Sequence, residues 1–147
     1  MGDEEAIRSR WTTLNNLHHE IEERLERRLQ ASIGISTREF LALAYLQRSR
    51  GSTAQLLWLR EVASAVSLSQ SATSRLIKRL EERGLLSRVT APHDARAVEA
   101  RLNQKASILL DRGGLVFDET LREAIDILRH LPVNLQLVRY LEEDRPQ

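Results

Sequence analysis

The chain has 147 residues, 41% apolar and 29% charged, a globular composition that suits one domain with helical extensions and excludes a disordered chain. It has no cysteine, which excludes disulfides, thiol nucleophiles and thiolate metal sites; no run reaches the ~18 apolar residues of a membrane span, and MGDEEAIRSR does not read as a signal peptide. The length and the lack of cysteine predict a soluble protein with a cytoplasmic location. The net charge of +1 is spread unevenly, 0 over residues 1–57, +4 over 58–105 and −3 over 106–147, so a polyanion contact is expected in the middle.

Ile7, Trp11, Leu14, Leu17, Ile21, Leu25 and Leu29 recur at three-and-four spacing, which predicts one amphipathic helix over roughly residues 5 to 30. That is long for a globular helix, so its stripe should pack against more than one small domain. Ser36 with Glu39 three residues on forms a capping box, and Ile35 with Phe40 a hydrophobic staple, which starts a second helix running to about Arg48. Ser49 to Thr53 reads as the closing loop. Leu59, Val62, Ala63 and Val66 give the next short helix its stripe. Ser67-Leu68-Ser69 breaks it, and Ser69 caps a further helix that ends at Gly84.

Ser87 to Thr90 and Ala97 to Leu102 then read as two strands, with Val98, Ala100 and Leu102 facing inward. Ala91 to Arg96 between them predicts a hairpin loop of about six residues. Asn103 can cap a last long helix reaching about Leu131, where Pro132 stops it. Gly113-Gly114 inside it predicts a bend or a close helix crossing, with a local break into two helices as the alternative. Leu135, Leu137, Val138 and Leu141 outline a final helix.

Helix, three-residue turn, helix and two-stranded wing, in that order over Glu61 to Leu102, is a winged helix-turn-helix. The fold class expected is therefore mainly α with a small β-hairpin wing. On a helical wheel Thr73, Leu76, Ile77 and Leu80 fall on the core side. Ser71, Ala72, Arg75, Lys78, Arg79 and Glu82 fall opposite, small at the start and basic further on. Arg75 and Arg79, one turn apart, can reach base edges or phosphates, and Ser69 with the first N–H groups suits a phosphate oxygen. The plain alternative is a solvated face on which these cations pair with Glu81 and Glu82. Arg88 on the first strand and Arg96 on the hairpin are further basic candidates for phosphate, and His93 and Asp94 lie on the same hairpin.

The stretch VASAVSLSQS (62–71), then SRLIKRLEERGL (74–85), Asp94-Ala95-Arg96 and the Leu102-Asn103 junction resemble the multiple-antibiotic-resistance regulator (MarR) family of bacterial transcription factors. The resemblance implies a homodimer with intertwined terminal helices above two winged modules. It places Gln70, Ser71, Ala72 and Arg75 toward the major groove, Arg96 of the wing tip in the minor groove, and Asp94 as the acid that orients the wing. Asn103 stands where the family has a threonine cap, and Ala106 where it has a glycine.

The implied division is an N-terminal dimerisation helix over 1–35, a DNA-binding domain over 36–105 and C-terminal dimerisation helices over 106–147. The implied function is a sequence-specific repressor on double-stranded DNA, released by a small aromatic ligand whose pocket residues the sequence does not assign. Trp11, Tyr45 and Trp58 could line such a pocket, although aromatics at helical spacing more often belong to a core. His18 and His19 are adjacent and face different sides, so no metal site is expected. No cofactor or enzyme is expected either, because glycine-rich phosphate loops, nucleophile elbows and zinc motifs are lacking. A winged helix used only for protein contact is the alternative; it would need an apolar or acidic recognition face.

Overall fold

Local capping and helix-end signals set most of the element boundaries. The computed structural model describes residues 2–49, 59–91 and 94–130, with no account of the side chains of 3, 90, 91 and 94–99. The order is α1 (Asp3–Ile33), α2 (Thr37–Arg48), α3 (Leu59–Val66), α4 (Gln70–Glu82), β1 (Leu86–Ala91), β2 (Asp94–Leu102) and α5 (Gln104–Arg129). Trp58, Pro92, His93, the Pro132 stop and the helix expected around Leu135 to Leu141 lie outside the described residues. Packing groups the chain into two units, one holding α1 to Arg28 and α5 from Leu115 onward, the other running from Leu29 to Gly114.

In the Leu29–Gly114 unit the capping box forms as expected. The Ser36 hydroxyl accepts from Glu39 N at 3.1 Å, and the Glu39 carboxylate accepts from Ser36 N at 2.8 Å. Ile35 and Phe40, the staple pair, are both buried. Leu43, Val62, Val66, Leu76, Ile77, Leu80 and Leu85 build the core around them.

Two helices in this unit end the same way. At the end of α4, Gly84 takes a left-handed φ of 69° and Leu85 N donates back to Leu80 O at 3.0 Å. At the end of α3, Ser67 takes φ 54° and Leu68 N donates to Ala63 O at 3.0 Å. A serine there carries a left-handed cost of about 1–2 kcal/mol that glycine avoids.

The wing corrects the expected six-residue loop. Its strands pair antiparallel from Leu86↔Leu102 to Thr90↔Val98, and then again at Ala91↔Asp94. Asp94, Ala95 and Arg96 are thus strand backbone. The physical reason is a register slip: Ala95, Arg96 and Ala97 have no partner on β1, so β2 absorbs three extra residues and pairing resumes beyond them.

Helix α5 runs unbroken through both interior glycines. A Cβ on Gly113 would lie 2.7 Å from Ile33 Cδ1 and 2.8 Å from Phe40 Cε2, whereas one on Gly114 would meet nothing within 4 Å. The close-crossing expectation therefore holds, and Gly113 alone makes it possible. Ala106 fits its position fully buried.

In the other unit Leu17 of α1 and Leu128 of α5 form a small buried cluster with Ile21 and Ile125 against it. Arg28 joins the same two helices, donating to the Thr120 hydroxyl at 3.3 Å and pairing with Glu123 at 3.0 Å. Ile7, Trp11 and Leu14 stay exposed, Trp11 to 65%. Among the described residues no helix is long and apolar enough to cross a membrane.

Candidate nucleic-acid interface

Helix α4 begins at a serine cap because its first amides need an acceptor outside the helix. The Ser69 hydroxyl accepts from Ala72 N at 3.2 Å and lies 3.3 Å from the Ser71 hydroxyl. Thr73 locks the cap from inside, its hydroxyl donating to Ser69 O at 2.8 Å. The cap so engages Ser69 itself, and Ser71 beside it stays exposed with Gln70.

The wheel separates as the periodicity requires. Thr73, Leu76, Ile77 and Leu80 are buried; Gln70, Ser71, Ser74, Arg75, Lys78, Arg79 and Glu82 are exposed, and Ala72 is half-buried. The basic residues then differ among themselves. Arg75 has no ion pair or hydrogen bond among the described residues. Lys78 Nζ lies 3.9 Å from Glu82 Oε1, one turn on, with both side chains well exposed. Arg79 Nε lies 3.8 Å from the buried Glu39 carboxylate. Arg88 on β1 is held firmly, its Nε and Nη2 both 2.7 Å from Glu81 Oε2.

So the solvated-face alternative applies unevenly. It describes Arg88 well and Lys78 weakly, and it leaves Arg75 untouched. Exposed pairs of the Lys78–Glu82 kind are worth about 0–1 kcal/mol, so a phosphate can displace them.

The two ends of the wing are tied to the helices around them. Asn103 N donates to Leu85 O at 3.3 Å, the Asn103 amide donates to the Gly84 carbonyl, and its Oδ1 caps α5 by accepting from Ala106 N at 2.9 Å. Asparagine therefore does both jobs with separate atoms. Asp94 and Arg96 are placed only by backbone, at the resumed pair and inside the slip, and His93 lies outside the described residues.

Sequence reasoning missed Arg38, Arg83 and the second role of Glu39. Arg38 Nη1 donates to Val66 O at 2.9 Å, at the end of α3. Arg83 Nη1 donates to Glu39 Oε2 at 3.3 Å and its Nη2 to Gly34 O at 2.7 Å. The available signal was the capping box, which turns the Glu39 carboxylate back to the Ser36 amide; the packing that buries it, and so makes it need cations, is tertiary. Tyr45, weighed as a pocket residue, donates to Glu61 Oε2 at 3.2 Å, and burial together with that carboxylate raises its pKa above the usual tyrosine value. No group of three or more metal-ligating side chains stands together among the described residues.

The description of the MarR family matches residues 33–97, which covers α2 through the slip in β2. The chain is similar to a MarR family transcriptional regulator from Streptomyces coelicolor solved in complex with DNA, with 23% identity, a TM-score of 0.74, and 96% of this chain and 84% of that one covered. It is similar to a mutant of Escherichia coli MarR complexed with operator DNA, with 17% identity, a TM-score of 0.72 and 96% of both chains covered. A Mycobacterium tuberculosis MarR family protein in complex with salicylic acid aligns at 22% identity and a TM-score of 0.66, over 88% of this chain and 91% of that one. At these identities the structural likeness speaks to the fold.

Proposed function

We propose that this chain, whose residues 33–97 match the MarR family, is a DNA-binding transcriptional regulator of that family that represses from a pseudo-palindromic operator as a homodimer. One observation carries the reading: α4 buries one complete stripe and turns small, then basic, side chains to solvent, with Arg75 unpaired among the described residues. An apolar or acidic face would have favoured a protein partner.

Gln70, Ser71, Ala72 and Arg75 enter the major groove, where small residues let the helix approach and Arg75 reads a base edge. Lys78 meets phosphate. Arg96 enters the minor groove from the slipped part of β2, and Asp94 orients the wing. Ser69 serves mainly as the cap, and Arg79 and Arg88 are turned toward Glu39 and Glu81, so they contribute less than their charge suggests.

Residues 1–35 and 106–147 carry subunit association, and 36–105 carry DNA contact. The exposed Ile7, Trp11 and Leu14 fit a second copy of the chain, because an apolar face of this kind is left uncovered by its own fold. Release by a small aromatic ligand belongs to the same reading, as does a cytoplasmic, non-enzymatic role.

The test is duplex binding at several salt concentrations, followed by a footprint on the DNA beside the protein's own gene. With Arg75, Lys78 and Arg96 on phosphate or in a groove in each subunit, six cations act per dimer. The expected slope of log K against log[salt] is then about −5, and the footprint should show half-sites about 10 bp apart. A slope near zero overturns DNA binding and returns the winged helix to a protein partner.

A further inference from the structure

The first turn of α2 holds both helices of the helix-turn-helix. Glu39 is only 6% exposed, yet its carboxylate is approached from three sides. Ser36 N donates to it at 2.8 Å, Arg83 Nη1 donates at 3.3 Å, and Arg79 Nε stands 3.8 Å away. Arg83 spans onward to the Gly34 carbonyl at 2.7 Å, so one guanidinium joins the end of α4 to both the α1–α2 turn and the start of α2. One residue before Glu39, Arg38 grips the Val66 carbonyl at 2.9 Å, beside the left-handed Ser67 of the turn. Apolar packing of Leu76, Ile77 and Leu80 fixes which face of α4 points inward, but apolar contacts are not directional. Charge-assisted bonds from a planar guanidinium are.

We propose that Glu39 is a positioning residue for sequence-specific recognition: through Arg83 and Arg79 it sets the rotation and axial placement of α4, and it withholds Arg79 from phosphate. The proposal rests on the DNA-binding reading above. Reading a base edge demands placement within about 0.5 Å, whereas phosphate contacts tolerate error and carry no sequence. Loosening the clasp therefore lowers discrimination first. It also frees Arg79 on the exposed side of α4, which strengthens binding to any duplex.

The experiment uses the full chain. A duplex is selected from a randomised pool with the wild-type protein, and Kd is measured on it and on a scrambled duplex across a salt series. Glu39→Gln keeps the length of the side chain and an oxygen for Ser36 N, so the capping box survives while the charge is lost. Its selected-to-scrambled ratio is expected to fall about tenfold or more, about the penalty of one mismatched base pair. Scrambled duplex should be bound as tightly as before or more tightly, with a salt slope steeper by up to about 2 per dimer.

Arg83→Lys keeps the charge and loses the fork, so the ratio should fall with the slope unchanged, and it carries the test if Glu39→Gln lowers the folded fraction. Hydrogen exchange on the free protein gives a readout without DNA: the amides from Arg79 to Gly84 should exchange faster in either variant, while those of Val62 to Val66 keep their protection. An unchanged ratio in both variants overturns the proposal alone, including the case where both affinities fall by one common factor. Unchanged exchange at Arg79 to Gly84 overturns it too. A wild-type chain that selects no duplex overturns the DNA-binding reading and the proposal with it.

Discussion

Helix α4 and the first half of α1 are both amphipathic, and they finish in opposite states. In α4 the apolar stripe is complete within the chain, since Thr73, Leu76, Ile77 and Leu80 are all buried, and the polar side is what remains open. In α1 the open side is apolar: Ile7, Trp11 and Leu14 stand in solvent while Leu17, Leu25 and Leu29 further along are buried. The same periodicity thus produces two kinds of surface. A stripe closed by its own chain leaves a helix to meet a polyanion with its charges; a stripe left open needs apolar surface from elsewhere. Burying a large apolar side chain is worth about 1.5–3 kcal/mol, so the open stripe holds far more association energy than any single charge on α4.

The largest expected effect follows from that asymmetry. Light scattering at micromolar concentration should give twice the chain mass for the wild type. Trp11→Glu removes apolar burial on both sides of a two-fold interface and places a carboxylate there, so the dimer dissociation constant should rise about a thousandfold. Circular dichroism should stay helical. A variant that keeps the wild-type mass would place the interface elsewhere and leave the exposed end of α1 without a role.

Within the closed region the sharpest contrast is between two neighbouring glycines. Gly113→Ala must push aside Ile33 and the Phe40 ring, which a new Cβ would approach within 2.7–2.9 Å. Overpacking of this kind costs about 1–3 kcal/mol, partly offset by about 1 kcal/mol of helix propensity, so the melting temperature should fall. Gly114→Ala gains the propensity and meets nothing, so it should rise. Equal shifts would mean that α5 does not cross Ile33 and Phe40 closely.

This pair also marks the limit of what the sequence makes legible. Ser36 with Glu39, Ser69, Gly84 and Asn103 act over a few residues, so the helix starts and ends could be read directly. The crossing at Gly113 involves Phe40, 73 positions away, and a bend, a crossing and a break all remained open until the fold brought the two together. The wing shows the same limit at shorter range: turn-forming residues from Ala91 to Arg96 mark a reversal, but not the slip that lets pairing resume at Asp94. On α4 the periodicity separated the buried from the exposed side chains. It could not rank the cations, because the acids that hold Arg79 and Arg88 are set by tertiary packing and by the wing.

That ranking is open to test on the DNA side. Arg75→Ala removes the cation with no partner among the described residues, and should cost about 1–3 kcal/mol on the selected duplex and relax preference at one position per half-site. Arg88→Ala should cost less, since its guanidinium is already committed to Glu81 at 2.7 Å. Equal losses measured by titration would mean that the Glu81 pair opens on binding.

The smallest effect separates a phosphate contact from a reading contact on one helix. Lys78 is exposed and its Nζ sits 3.9 Å from Glu82 Oε1, at the limit of an ion pair. Such an i, i+4 pair contributes only about 0.3–0.5 kcal/mol, less than a phosphate oxygen offers the same ammonium. On binding, Lys78 should therefore leave Glu82 and release one counterion per subunit. Lys78→Ala should flatten the salt slope by up to about 2 per dimer and weaken all duplexes by a similar factor, with the selected-to-scrambled ratio unchanged. Arg75→Ala should do the reverse, lowering the ratio with less change in slope. If Lys78→Ala leaves the slope intact, the ammonium stays with Glu82 and α4 meets DNA through the Arg75 side of its open face alone.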